Sequence, residues 1–208
     1  MSTGATTAPA GTGRVNQKLR TRTAILQAAK ELILTGREVS MPEIARAALV
    51  SEATAYRYFP DLASLLQEGM ADLLPDPAEA LASATDSADP VERVAAATEF
   101  LLRLVLAREG TVRAMIAATI TKPRGVITRP GLRFGLIDHA LAPLSEGPAA
   151  PDPEALDQLK LGLAIIVSAE ALFTLTDLHR LEPDEAISGI VRTATTFTRA
   201  ALAEGTPR

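Results

Sequence analysis

Residues 40–66 read SMPEIARAALVSEATAYRYFPDLASLL, and they hold helix starts and stops in close succession. Ser40 can cap a helix, with Glu43 three residues on to complete a capping box. Pro42 falls in the first turn, where its missing N–H costs nothing. Met41, Ile44, Ala45 and Ala48 then recur at helical spacing. Val50 and Ser51 close a turn, and Ser51 is a good N-cap for a second helix over 52–58. Pro60 and Asp61 start another helix. A short helix, a tight turn, a second short helix and an aromatic cluster are the layout of a DNA-reading helix-turn-helix.

Net charge alone argues against nucleic acid, because the 208 residues sum to −4. Its distribution argues the other way. Residues 14–60 carry eight basic side chains against four acidic ones, which leaves −8 on the rest of the chain. A basic N-terminal module on an acidic body concentrates attraction for DNA at one end.

At these residues the chain resembles the TetR family of bacterial transcriptional repressors. The resemblance is carried by Glu43–Ile44–Ala45, the Val50–Ser51 turn, Thr54, Tyr56, Phe59 and the Pro60–Asp61 helix start. Generic helix-turn-helix proteins lack the Tyr-x-x-Phe-Pro-Asp ending. The motif likeness stops near Met70. The resemblance implies that the Tyr56 hydroxyl meets the DNA backbone and that the two C-terminal helices pair with a second subunit as a four-helix bundle. Such a two-fold dimer sets two recognition helices about one DNA turn, roughly 34 Å, apart. Three positions depart from the family pattern. Leu49 stands where Gly is usual, and a left-handed conformation there costs roughly 1–2 kcal/mol. Tyr58 stands where His is frequent. Leu62 replaces a Lys that would meet a phosphate.

Within the second helix, Glu52 and Ala53 lie at the end that reaches base edges. Glu52 either accepts from a cytosine amino group or compensates the helix dipole in solvent. Thr54 suits a phosphate or a thymine methyl. Tyr56 either contacts phosphate or packs its ring in the small core. Arg57 and Tyr58 are backbone contacts or simply exposed. Ahead of the first helix, Arg14, Lys18, Arg20 and Arg22 form a basic arm, for the minor groove or for general attraction only.

The rest of the chain is helical in pattern, so the expected fold class is all-α. Residues 1–15 are expected to be a disordered arm and 16–60 the three-helix DNA-binding domain, with its first helix over 16–35. Residues 61–208 are expected to form a larger helical ligand-binding and dimerisation domain. It contains a helix over 61–74 ended by Pro75 and Pro77, and helices over 90–108, 111–121 and 132–144. Two long closing helices follow over 154–181 and 184–204, with connections over 122–131 and 145–153. The stretch 161–175 is apolar nearly all round, which predicts burial on more than one side.

Glu170, Thr174 and Asp177 fall at i, i+4 and i+7 of the expected helix over 154–181, so they share a face. They line a ligand pocket or make an internal salt bridge. In a pocket the two carboxylates favour a cationic or hydrogen-bond-donating group. His139 is a further pocket candidate. Only 3% of the chain is aromatic, which favours an aliphatic lining and a lipophilic or acyl-like ligand.

Enzyme chemistry finds no footing. The sequence has no Cys, no P-loop, no Gly-rich dinucleotide turn, no nucleophile elbow and no metal spacing, and His139 and His179 stand apart. No catalytic residue, metal or cofactor is expected. The apolar stretch 161–175 contains Ser168 and Glu170 and is too short for a span, so no membrane is expected. The N-terminus lacks the charged start and apolar core of a signal peptide, and a cytoplasmic location is expected. These readings predict a homodimeric, sequence-specific regulator of a palindromic double-stranded DNA operator, a repressor released by a small-molecule effector. The competing reading, favoured by Leu49, Leu62 and Glu52, is a helical small-molecule-binding or scaffold protein with a vestigial DNA-binding module.

Overall fold

The computed structural model describes residues 10–121, 131–145 and 152–204. Among them are eleven α-helices and no strand. The first four are α1 (Ala10–Ile33), α2 (Met41–Ala47), α3 (Glu52–Tyr58) and α4 (Leu62–Ala71). Then come α5 (Pro77–Ala84), α6 (Pro90–Ala107), α7 (Glu109–Thr121) and α8 (Leu132–Ser145). The chain closes with α9 (Pro153–Ile166), α10 (Ala169–Phe173), a π-helical turn (Thr174–Leu178) and α11 (Pro183–Glu204). Of the expected connections over 122–131 and 145–153, residues 122–130 and 146–151 lie outside the described residues, while Ser145 ends α8 and Pro153 starts α9.

Two apolar cores organise these helices. The N-terminal core gathers Ile25, Ala29 and Ile33 of α1, Met41 and Ile44 of α2, Ala55 of α3, Phe59, and Leu65, Leu66 and Met70 of α4. Met41 and Ile44 belong to the stripe read from the sequence, and the buried residues of α1 and α4 recur at the same helical spacing. α4 lies against α1, and the pair is tied by Arg22–Glu68 at 2.6 Å and Lys30–Asp72 at 2.5 Å. Packing therefore continues past the expected boundary at residue 60. The second core centres on α6, which lies against α5, α8 and α11.

Three expectations are corrected. α1 begins at Ala10, so residues 10–15 extend the helix instead of belonging to a disordered arm. Nothing between Ala10 and Asn16 breaks a helix more strongly than Gly11 and Gly13, and each costs only about 1 kcal/mol against Ala. Pro77 ends no helix; it starts α5, where Asp76 accepts from the N–H groups of Ala78 and Glu79 at 2.9 and 3.2 Å. Proline is at home in a first turn, and Ala80 and Leu81 are buried beneath it.

The helix expected over 154–181 is broken at Val167 and Ser168. The Ser168 hydroxyl accepts from Ala171 N–H at 3.0 Å and donates to the Ile165 carbonyl at 2.9 Å, so it starts a new helix inside the apolar run. Thr174 to Leu178 then widen into the π-turn. Burial of this run is one-sided, because Leu161 and Ile165 are 61% and 76% exposed.

The two cores meet at the start of α7. Gly36 has φ +72° and its carbonyl accepts from Gly110 N–H at 3.2 Å. A Cβ on Gly110 would sit 2.4 Å from the Arg37 carbonyl, where nothing can give way. From there α7 runs under the N-terminal module, and its Met115 is buried in that module's core. Gly110→Ala should therefore force the α1–α2 loop off α7 and cost about 1–3 kcal/mol in denaturant unfolding. An unchanged midpoint would mean the two segments are not in contact.

Candidate nucleic-acid interface

Each end of the helix pair is held by side-chain and backbone groups that the sequence supplies. Ser40 N–H and hydroxyl donate to the Glu43 carboxylate at 3.0 and 2.7 Å. Those two hydrogen bonds hold the Glu43 carboxyl below the usual carboxylate range. α2 ends in a Schellman motif: Val50 N–H reaches the Ala45 carbonyl at 3.0 Å, and Leu49 N–H reaches that of Arg46 at 3.1 Å. That motif requires a left-handed residue, and it falls on Leu49, at φ +56° and 93% exposed. The strain that the sequence implied at Leu49 is present and nothing buries the side chain in return. Ser51 then caps α3, accepting from Thr54 N–H at 3.2 Å and sharing a 2.9 Å hydrogen bond with the Thr54 hydroxyl.

Burial of Ala55 and Phe59 pins one side of α3 to the core and turns the rest outward. Glu52, Ala53 and Arg57 are exposed, and Tyr56 is 45% exposed, so its ring is not a core element. Thr54 and Tyr58 are half-buried where α3 meets α1. There they line a groove of 570 Å³ with Lys18, Arg57, Ser51 and two residues not singled out from the sequence, Gln17 and Thr21. Their signal was spacing: Gln17 and Thr21 are one turn apart on the polar side of α1, beside Lys18, and the Thr21 hydroxyl donates to the Gln17 carbonyl at 3.0 Å. The groove combines cations and hydroxyls, the chemistry of phosphate contact.

Not every predicted basic residue joins it. Arg20 is exposed outside the groove, and the Arg14 side chain lies outside the described residues. Arg22 has a packing role: besides meeting Glu68 it lies 4.9 Å over the Phe59 ring. Leu62 is half-buried against the N-terminal core, so the position where the family carries a phosphate-binding Lys is used here for packing.

The candidates of the larger domain separate. Glu170, Thr174 and Asp177 do line one groove, of 400 Å³, between α7 and the π-turn. They reach it through α10 and the π-turn, not along one α-helical face. Asp177 accepts from Arg113 Nη1 and Nη2 at 2.6 and 2.8 Å, which holds its carboxyl below the usual range and raises the Arg113 pKa. Both Asp177 oxygens are therefore engaged, and the expected preference for a cationic ligand loses one of its two carboxylates. Glu170 lies 3.9 Å from Arg133. His139 is exposed on α8 and does not line this groove; its carbonyl accepts from Arg93 at 2.8 Å. Among the described residues no cluster of His, Asp or Glu could hold a metal ion, and no single helix is long and apolar enough to cross a membrane.

A capped helix pair with its second helix turned outward beside a basic groove defines a helix-turn-helix DNA-binding regulator. Residues 25–68 match the family model of the bacterial regulatory proteins, tetR family. Over this segment, the helix-turn-helix module, the chain is similar to that family of transcriptional regulators. Among solved structures, a TetR transcriptional regulator from Rhodococcus sp. RHA1 is 25% identical, over 87% of this chain and 97% of that one, with a TM-score of 0.53. RolR, solved with resorcinol, is 19% identical over 93% of this chain and 98% of its own, with a TM-score of 0.46. NalD of Pseudomonas aeruginosa, the secondary repressor of the MexAB-OprM multidrug efflux pump, is 21% identical over 92% and 98%, with a TM-score of 0.39. No curated protein matches the chain.

Leu49→Gly should raise thermal stability by up to about 1 kcal/mol, because relief of the left-handed strain outweighs the larger unfolded-state entropy of glycine. A lower melting temperature would show that Leu49 makes a stabilising contact after all.

Proposed function

We propose that the chain represses transcription as a homodimer on a two-fold symmetric operator, and that a small molecule releases it. The observation that carries this reading is the surface of α3. Glu52, Ala53 and Tyr56 stand out on it, flanked by the groove that holds Lys18, Thr54, Arg57 and Tyr58. In this reading the exposed end of α3 enters the major groove, Glu52 and Ala53 meet base edges, and the groove residues and Tyr56 take phosphates. Arg14 and Arg20 add attraction from the start of α1. The protein works in the cytoplasm, where its operator is.

Dimerisation uses α9 and α11. The aliphatic pair Leu161 and Ile165 is one turn apart on α9 and largely uncovered. Beside it the Phe197 ring of α11 lies so close to Gly162 that a Cβ there would meet it at 2.3 Å. This close helix pair offers an apolar face that a second copy buries. Release works through geometry. α4 and α7 both touch the N-terminal module, so an effector that favours one position of these helices changes the separation of the two recognition helices.

Selection from a random duplex library should return a two-fold symmetric sequence, bound with a steep salt dependence. Tyr56→Phe should weaken that binding by on the order of 1 kcal/mol at unchanged thermal stability. Equal affinity would remove the Tyr56 hydroxyl from the interface. Ile165→Glu should give a folded monomer in sedimentation, because this side chain is 76% exposed in the single chain. Operator affinity should fall with it. A variant that remains dimeric would place the dimer interface elsewhere, and a scaffold protein would give no salt-dependent selection at all.

A further inference from the structure

Arg113 is held on three sides. Its Nε donates to Glu109 at 2.7 Å, and its two terminal nitrogens donate to Asp177. One face of the guanidinium lies 3.8 Å from the centre of the Phe173 ring. The carboxylates occupy its edges and Phe173 occupies one face, so what it offers to the surroundings is its other face. The side chain is 38% exposed, and it lines the 400 Å³ groove between α7 and the π-turn. Two further lining residues, Ile120 and Leu178, are each 77% exposed, an unusual cost for large aliphatic side chains beside one opening. The π-turn itself is a rare element, frequent at functional positions.

We propose that this groove is the effector site and takes a planar, uncharged aromatic molecule, stacked on the outer face of the Arg113 guanidinium between Ile120 and Leu178. A fixed, flat guanidinium is a better platform for an aromatic ring than any aliphatic side chain in the groove. The groove has the size of a small-molecule site. The charged residues that line it are Glu170 and Asp177 against Arg113, a balance that disfavours anions; Glu109 and Arg133 pair with Arg113 and Glu170 from outside the lining. This differs from the acyl-like ligand expected from composition, because one arginine supplies the stacking surface that the aromatic content lacks. The inference rests on the regulator reading above and gives it a route. The occupant bears on α7, whose Val112 and Met115 pack into the core of the DNA-binding module.

The chain has no Trp, so the fluorescence of 2-naphthol reports binding directly. The naphthol should bind saturably and release selected operator DNA. Decahydro-2-naphthol, equally apolar but without a π-face, should compete at least tenfold less well, and 2-naphthoate should also be weaker. Arg113→Lys, which keeps the charge and loses the plane, should weaken naphthol at least tenfold. Ile120→Glu should abolish its binding with the circular dichroism unchanged. Equal competition by the saturated alcohol, or full binding by Ile120→Glu, overturns the site. Naphthol bound in this pattern with the operator retained overturns its role as effector site. Failure of the wild type to select any DNA refutes the regulator reading instead, since naphthol fluorescence reads the groove without DNA.

Discussion

α7 belongs to both cores, and the relation between the two halves of the molecule depends on it. Met115 is buried among the helices of the DNA-binding module, while Arg113, two residues earlier, is clamped to the π-turn of the larger domain. Gly110 at its start is hydrogen-bonded to Gly36 in the loop that leads to α2. Close-packed interiors transmit a displacement because there is no free volume to absorb it. α7 packs against α4 and its start is bonded to the α1–α2 loop, while α3 packs against α2, the helix that follows that loop.

The outer face of α3 is exposed because the helix is short and pinned at few points. Ala55 and Phe59 enter the core, and Ser51 and the Schellman turn fix the end that faces outward. Little else restrains the helix, so Glu52, Ala53, Tyr56 and Arg57 are free to meet a partner. The strain at Leu49 and the apolar Leu62 leave this geometry intact, because the strain sits in an exposed turn and Leu62 finds packing of its own. Charge does the remaining work. The basic residues gather at this end, and several have been committed to packing: Arg22 to Phe59 and Glu68, Lys30 to Asp72. Electrostatic attraction and module stability thus draw on the same small set of cations.

In the larger domain, composition and structure diverge. An apolar run of this kind reads as one buried helix, since apolar periodicity carries no sign of a break. Ser168 made the difference: its hydroxyl bonds to backbone on both sides and restarts the helix, and a serine there looks like an ordinary helical residue until its φ and ψ are known. Beyond the break Asp177 meets Arg113, a residue 64 positions away in sequence.

By itself the sequence determined the helix-turn-helix. Its caps, turn and apolar stripes are local, set by hydrogen bonds and side-chain spacing within a few residues, and they fixed α2, α3 and the inward face of α1 and α4. It also determined where positive charge collects. Tertiary structure alone decided which charges remain available and which are spent on packing, that Gly36 and Gly110 join two domains, and that the carboxylate stripe of the larger domain meets an arginine on α7. Those outcomes depend on distances between segments far apart in the chain. Such distances are set by how whole helices fill space together, and no local periodicity encodes them.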